Sequence, residues 1–304
     1  MEIKPIFYIW LSYGPISMVF SLITLYQLYK YPEFKSPFYR LVQCDLIINM
    51  VCYLHTWLKR IATDEELSRI LIPLVTNAQF ILNINDFTSQ CFYHIQSGSL
   101  LVKCIFRYTV AAKPDAPYVW KNYYISIYLA DILFSILYTI PYTLASGLNA
   151  VHYDAINDTI AYSRNPWGQW FWVMDVQVGI YLLLTFAVGI PTWRRLKGAW
   201  NSSKTRKTKL TLIILIDALL HICVWLWHYL PRHFEMGACF RRVMLFCVSD
   251  LISCSTPYTL FLLDRTFRRS FWRYFKCIMP PEVYPSGPVS RHSPRISQTQ
   301  RLEF

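Results

Sequence analysis

Residues 101–114, LVKCIFRYTVAAKP, decide how this chain is read. They close a long apolar segment that is unusually rich in polar groups. Phe106-Arg107-Tyr108 is followed six residues after Tyr108 by Pro114, which cannot continue a helix. Cations collect at the cytoplasmic ends of membrane spans. If the segment crosses a membrane, these residues are its inner end.

Composition supports that premise. The 304 residues are 54% hydrophobic and 17% aromatic, and only 16% are charged. Soluble domains carry about 25% charged residues. The 11 Trp and 22 Tyr suit the aromatic belts of the two membrane interfaces. A span needs roughly 20 apolar residues. Windows of that kind lie at 6–29, 37–58, 86–110, 123–148, 169–193, 210–230 and 242–263. The first is too long for a signal-peptide core, so it is expected to remain as helix one. Residues 70–82 form a 13-residue apolar stretch with Pro73, too short to span. They are expected to lie on or re-enter the outer surface.

Charge sets the orientation. With the N-terminus outside, 22 of the 30 Lys and Arg fall on the cytoplasmic side. They include Lys103, Arg107 and the run between Arg194 and Lys209. The net charge of +12 therefore reads as orientation and contact with anionic lipid, not as nucleic-acid binding. After Asp264, an expected N-cap, Phe267, Phe271, Trp272 and Phe275 share one face of a helix whose other face is basic. That predicts an amphipathic helix in the inner interface. The expected organisation is a seven-helix, all-α bundle over 1–263, the interfacial helix over 264–277, and a Pro- and Ser-rich disordered cytoplasmic tail over 278–304.

The third window is the most polar, with Asp86, Thr88, Gln90, His94, Gln96, Ser97 and Ser99. Lipid penalises such groups, so this helix is expected at the centre of the bundle. Five aspartates also sit about two turns inside their helices. Asp45, Asp131 and Asp217 fall in the inner half, Asp175 and Asp250 in the outer half. Asp45 and Asn49, one turn apart, form an expected polar network that holds water or sodium and ties helix two to helix seven. His94, Asp175, Trp225, His228 and Asp250 are expected to line an outer pocket, whose acidity favours a cationic or hydrogen-bonding ligand. Most of the nine cysteines are packing residues within spans, and a Cys91–Cys239 disulfide is the one pairing that outer-face position allows. Asn157-Asp158-Thr159 is an N-glycosylation acceptor in the outer loop after helix four. Cys277, ending the amphipathic helix, is a palmitoylation candidate. His221 and His228 stand two turns apart, about 10.5 Å, and cannot both reach one zinc ion. No metal, cofactor or enzymatic activity is expected.

The segment FKSPFYRLVQCDLIINMVCYLHTWL at 34–58, IFRYT at 105–109 and AKP at 112–114 resemble the nematode serpentine chemoreceptors, class gamma or the related class V. The resemblance runs through about residue 277. It implies a G-protein-coupled receptor that detects a small chemical ligand, with Arg107 and Tyr108 facing a heterotrimeric G protein. It also implies the plasma membrane of sensory neurons, with cilia as the site. The wider rhodopsin-like pattern is only partly kept. Phe106 stands where an acid is usual, Thr256 replaces the asparagine before the helix-seven proline, and Leu260 stands where a tyrosine would be. Arg107 therefore has no acidic predecessor, and Asp217, about 10 Å deep in helix six, is not a ready partner. A transporter or channel is the alternative, but it would favour paired repeats, and the sequence shows no convincing one.

Overall fold

The computed structural model describes residues 4–63, 65–113, 115–146, 151–154, 159–162, 171–197, 202–229 and 238–278. Helix α1 runs Lys4–Lys30, and a 3-10 turn at Pro32–Phe34 leads into α2, Pro37–Thr63. Then come α3 (Glu65–Ala112), α4 (Ala116–Ser146), α5 (Phe171–Lys197), α6 (Ser202–Tyr229), α7 (Ala238–Leu263) and α8 (Arg265–Ile278). A hairpin of β1 (Val151–Asp154) and β2 (Thr159–Tyr162) adds a feature the all-α reading lacks. It packs on α3.

Among the described residues six helices are long and apolar enough to cross a membrane, and there are seven if the two arms of the bent α3 make one span. The break in α3 falls at Ala78, whose backbone leaves the helical region. There Leu67–Ala78 turns by 107° from Asn83–Ala112. The bend falls within residues 70–82, the stretch expected to lie on or re-enter the outer surface. The second arm of α3 packs on α2, α4, α5 and α6, while α1 closes the ring between α2 and α7.

The helices bury their polar sides and expose their apolar ones. Leu129, Leu133, Phe134 and Leu137 of α4 face outward, while its Ser135 and Thr139 are buried. Ile180, Leu183 and Leu184 of α5 face outward, while its Thr185 is buried. Water would penalise such a surface and hydrocarbon would not. Close approach of helices is set by small residues. A Cβ on Gly14 of α1 would overlap the Tyr53 hydroxyl of α2, and one on Gly98 of α3 would overlap the Asp131 carboxylate of α4.

The inner corner is held by α8. Asp264 caps it: its Oδ1 accepts from the backbone N–H of Thr266 at 2.9 Å and of Phe267 at 3.4 Å. Its other oxygen accepts from Tyr39 of α2. Phe267 is fully buried against Phe34, whereas Trp272 is exposed on the outer face.

Candidate functional site

The polar groups of the bundle converge on Lys103. Hydropathy and position place this residue at the cytoplasmic end of helix three, among the 22 inner cations. The structure corrects that: Lys103 is 4% exposed and lies between helices. Its ammonium is 2.8 Å from Asp45 Oδ2 of α2 and 3.3 Å from Asp217 Oδ2 of α6. The cation expected at Asp45 is therefore supplied by the chain itself. Asp217 is engaged by Lys103.

The network spreads from there. Ser99 donates to Asp45 Oδ1 at 2.6 Å, and Thr256 of α7 donates to Asp45 Oδ2 at 3.3 Å. Asn49 donates to the same Asp45 oxygen at 3.4 Å and accepts from Gln96 at 2.8 Å. Gln96 also reaches Ser253 of α7 at 3.2 Å. Tyr128 of α4 lies 2.9 Å from the Ser99 hydroxyl and donates to the Leu41 carbonyl at 3.1 Å. His221 holds its Nδ1 2.8 Å from the Asp217 carbonyl, which can only accept, so that nitrogen carries the hydrogen. One cluster thus ties α2, α3, α4, α6 and α7. It surrounds a cavity of about 10 Å³ lined by Asp45, Gln96, Lys103, Asp217 and His221, room for roughly one water.

A second buried ion pair lies toward the C-terminal end of α2. Arg60 of α2, fully buried, pairs with Asp250 of α7, which also accepts from Tyr13 of α1. Four rings enclose the guanidinium: Trp10 at 4.8 Å, Trp57 at 5.1 Å, and Tyr53 and Phe246 at 5.4 Å. Asp250 was expected to offer negative charge to a ligand. Here an internal arginine already neutralises it, and it is 2% exposed. His94 is fully buried on α3, edge-on to the ring of Tyr138 at 5.1 Å. Neither of its ring nitrogens has a hydrogen-bond partner among the described residues. Trp225 of α6 approaches Gly179 of α5. Asp175 lies on α5 and His228 on α6, but their side chains are outside the described residues.

At the C-terminal end of α3, Arg107 is 6% exposed, with its guanidinium 4.4 Å from the Phe38 ring. Phe106 packs between Phe38 and Trp120, and Trp120 donates to Thr109 at 2.9 Å. Tyr108 is exposed at 39%. Among the described residues no group of His, Cys, Asp and Glu could hold a metal. Cys91 is a free thiol among the described residues. The side chains of Cys239 and Cys277, and the whole of Asn157, are outside the described residues.

A family model described as Srg family chemoreceptor matches residues 7–271, which takes in every helix of the bundle. The chain belongs to the Srg chemoreceptor family. It is 25% identical over 281 residues to serpentine receptor class gamma-53 of Caenorhabditis elegans, covering 87% of this chain and 90% of that protein. It is 26% identical over 275 residues to serpentine receptor class gamma-47 of the same organism, covering 86% and 88%. Family membership and the apolar helices make this Srg chain a multi-pass membrane protein of the chemoreceptor class.

Two residues that organise the Srg bundle, Lys103 and Arg60, were not singled out from the sequence. A signal for them exists. Intramembrane charges tend to pair with one another, and these two basic residues lie within helices that also carry buried polar groups.

Proposed function

We propose that the chain is a G-protein-coupled chemosensory receptor of the plasma membrane, with its N-terminus outside, its C-terminus in the cytoplasm, and sensory cilia as its site. A small molecule enters the outer half of the bundle among α3, α5, α6 and α7, near His94, Asp175, Trp225 and His228. Asp250 takes no direct part, because Arg60 holds it. The ligand prefers a state in which α6 has moved outward, and that difference in affinity drives the switch. Arg107 and Tyr108 then meet the heterotrimeric G protein. Asn157 carries glycan and Cys277 an acyl chain.

The observation that supports this most is the single ammonium of Lys103 shared by α2 and α6. An outward swing of α6 must open the longer contact, 3.3 Å to Asp217, and can keep the shorter, 2.8 Å to Asp45. The helix-three to helix-six tie thus sits within the bundle, in a chain whose Phe106 has no acidic group to offer Arg107.

The test is expression in a sensory-type cell with a ligand panel, a G-protein readout and a surface label. Arg107→Ala should abolish the response and leave surface expression largely intact. A normal response in that variant would remove Arg107 from coupling. Ligand-evoked current or flux without G-protein activation would replace the receptor reading with a transporter or channel.

A further inference from the structure

Among the described residues four aspartates of this bundle have a cation or a hydrogen-bond donor from within, although Asp217 Oδ1 accepts from none. Asp45 and Asp217 share Lys103, Asp250 has Arg60 and Tyr13, and Asp264 has two backbone N–H groups and Tyr39. Asp131 of α4 has neither a cation nor a hydrogen bond to its buried Oδ2 among the described residues. It faces α3, pressed against Gly98, the one residue type that leaves room for it there.

Other groups without a hydrogen-bond partner among the described residues lie on neighbouring turns of α3, α4 and α5. One turn along α4, Ser135 is fully buried with a free hydroxyl, and across on α3 His94 is fully buried with both nitrogens free. His94 faces α4, because its ring meets Tyr138. On α5, Gln177 donates to the Tyr181 hydroxyl at 3.1 Å, yet its buried Oε1 accepts from nothing. Tyr181 in turn lies within electrostatic range of both Asp131 and Tyr138. Asp131 and Ser135, Gly98 and His94, and Tyr181 and Gln177 are each four residues apart, so each pair spans about 6 Å along its helix. Buried polar groups are almost always paired, so each unpaired one calls for an explanation, a bound water or a ligand group among them. An ionisable group inside a membrane marks function by default.

We propose that Asp131, where α4 packs on α3 at Gly98, binds together with the neighbouring groups of α3 and α5 a small molecule carrying a protonated primary amine. The open sites are mainly acceptors: a carboxylate oxygen, the Gln177 amide oxygen and a nitrogen of His94. An ammonium brings three donors and a positive charge, and the Tyr138 and Tyr181 rings suit a cation beside an apolar body. This names the ligand chemistry for the receptor reading above and rests on it. It also moves the acidic contact from Asp250, which Arg60 already neutralises, to Asp131, so the pocket proposed above reaches from the outer half past His94 into the inner half of α4.

The experiment is thermal unfolding of the purified full-length chain in detergent, without G protein. The probes are 2-phenylethylamine and butylamine, with 2-phenylethanol and butanol as neutral controls. At several times its dissociation constant an amine should raise the wild-type midpoint by about 2–4 °C. The alcohols should not, and D131N should lose the rise. Without ligand, D131N should be at least as stable as the wild type, because it removes an uncompensated charge on a half-buried side chain. Gly98→Ala, whose Cβ displaces the carboxylate, is the second variant and should also lose the rise. An equal rise in D131N, or no rise with either amine in the wild type, overturns the proposal. A chain that binds amines yet never activates a G protein keeps this site and refutes the signalling reading. A chain that signals to other ligands while ignoring both amines does the reverse.

Discussion

Replacing Lys103 with Met removes the one cation between two buried carboxylates. The ammonium is 2.8 Å from Asp45 and 3.3 Å from Asp217. At an effective dielectric of about 20 these contacts correspond to roughly 6 and 5 kcal/mol of attraction, before desolvation is subtracted. Desolvation cancels much of that in the intact network. It does not cancel when the cation alone is removed, and breaking such a pair from one side costs about 3–5 kcal/mol. That is a large part of a typical stability of about 5–15 kcal/mol. The structure supplies the assay. Cys52, Cys91, Cys104 and Cys254 are free and buried, so a thiol-reactive fluorophore reports unfolding as they become reachable. K103M should lower the unfolding midpoint by on the order of 10 °C. K103M/D217N should regain part of the loss, with a coupling of at least about 1 kcal/mol, because one stranded charge is gone. If K103M unfolds within about 0.5 kcal/mol of the wild type, the size expected of a neutral surface change, the network does not hold the helices together.

Two further expectations use the same assay. Arg60→Ala strands Asp250 beside Tyr13 and should cost about 3–5 kcal/mol. Arg60→Lys should recover only part, since an ammonium cannot lie flat on Trp10 and Trp57 as a guanidinium does; full recovery by Lys would mean that the rings contribute nothing. Gly14→Ala drives a methyl into the Tyr53 hydroxyl and should cost about 1–3 kcal/mol. Pairing it with Tyr53→Leu should cost less than the sum of the two single changes, and simple additivity would show that the contact is not close.

The fold could be read along the chain because lipid is a demanding solvent. A span must be about 20 apolar residues long, and most of its flanking cations stay inside. Those constraints are local in sequence, and they set the windows, the break before helix three, the Asp264 cap and the central place of the most polar helix. The serpentine resemblance came from the same stretches. Tertiary structure alone decided which charge meets which. Lys103 sits four residues before Arg107, and along the chain both look like interface cations. Only the rotation of α3 sends one toward Asp45 and Asp217, 58 and 114 residues away. Arg60 and Asp250, 190 residues apart, differ in the same way from the acidic pocket expected of Asp250. Hydropathy measures how costly a charge is in lipid, but whether that cost is met by a partner depends on side chains a few ångströms apart, and packing fixes that distance.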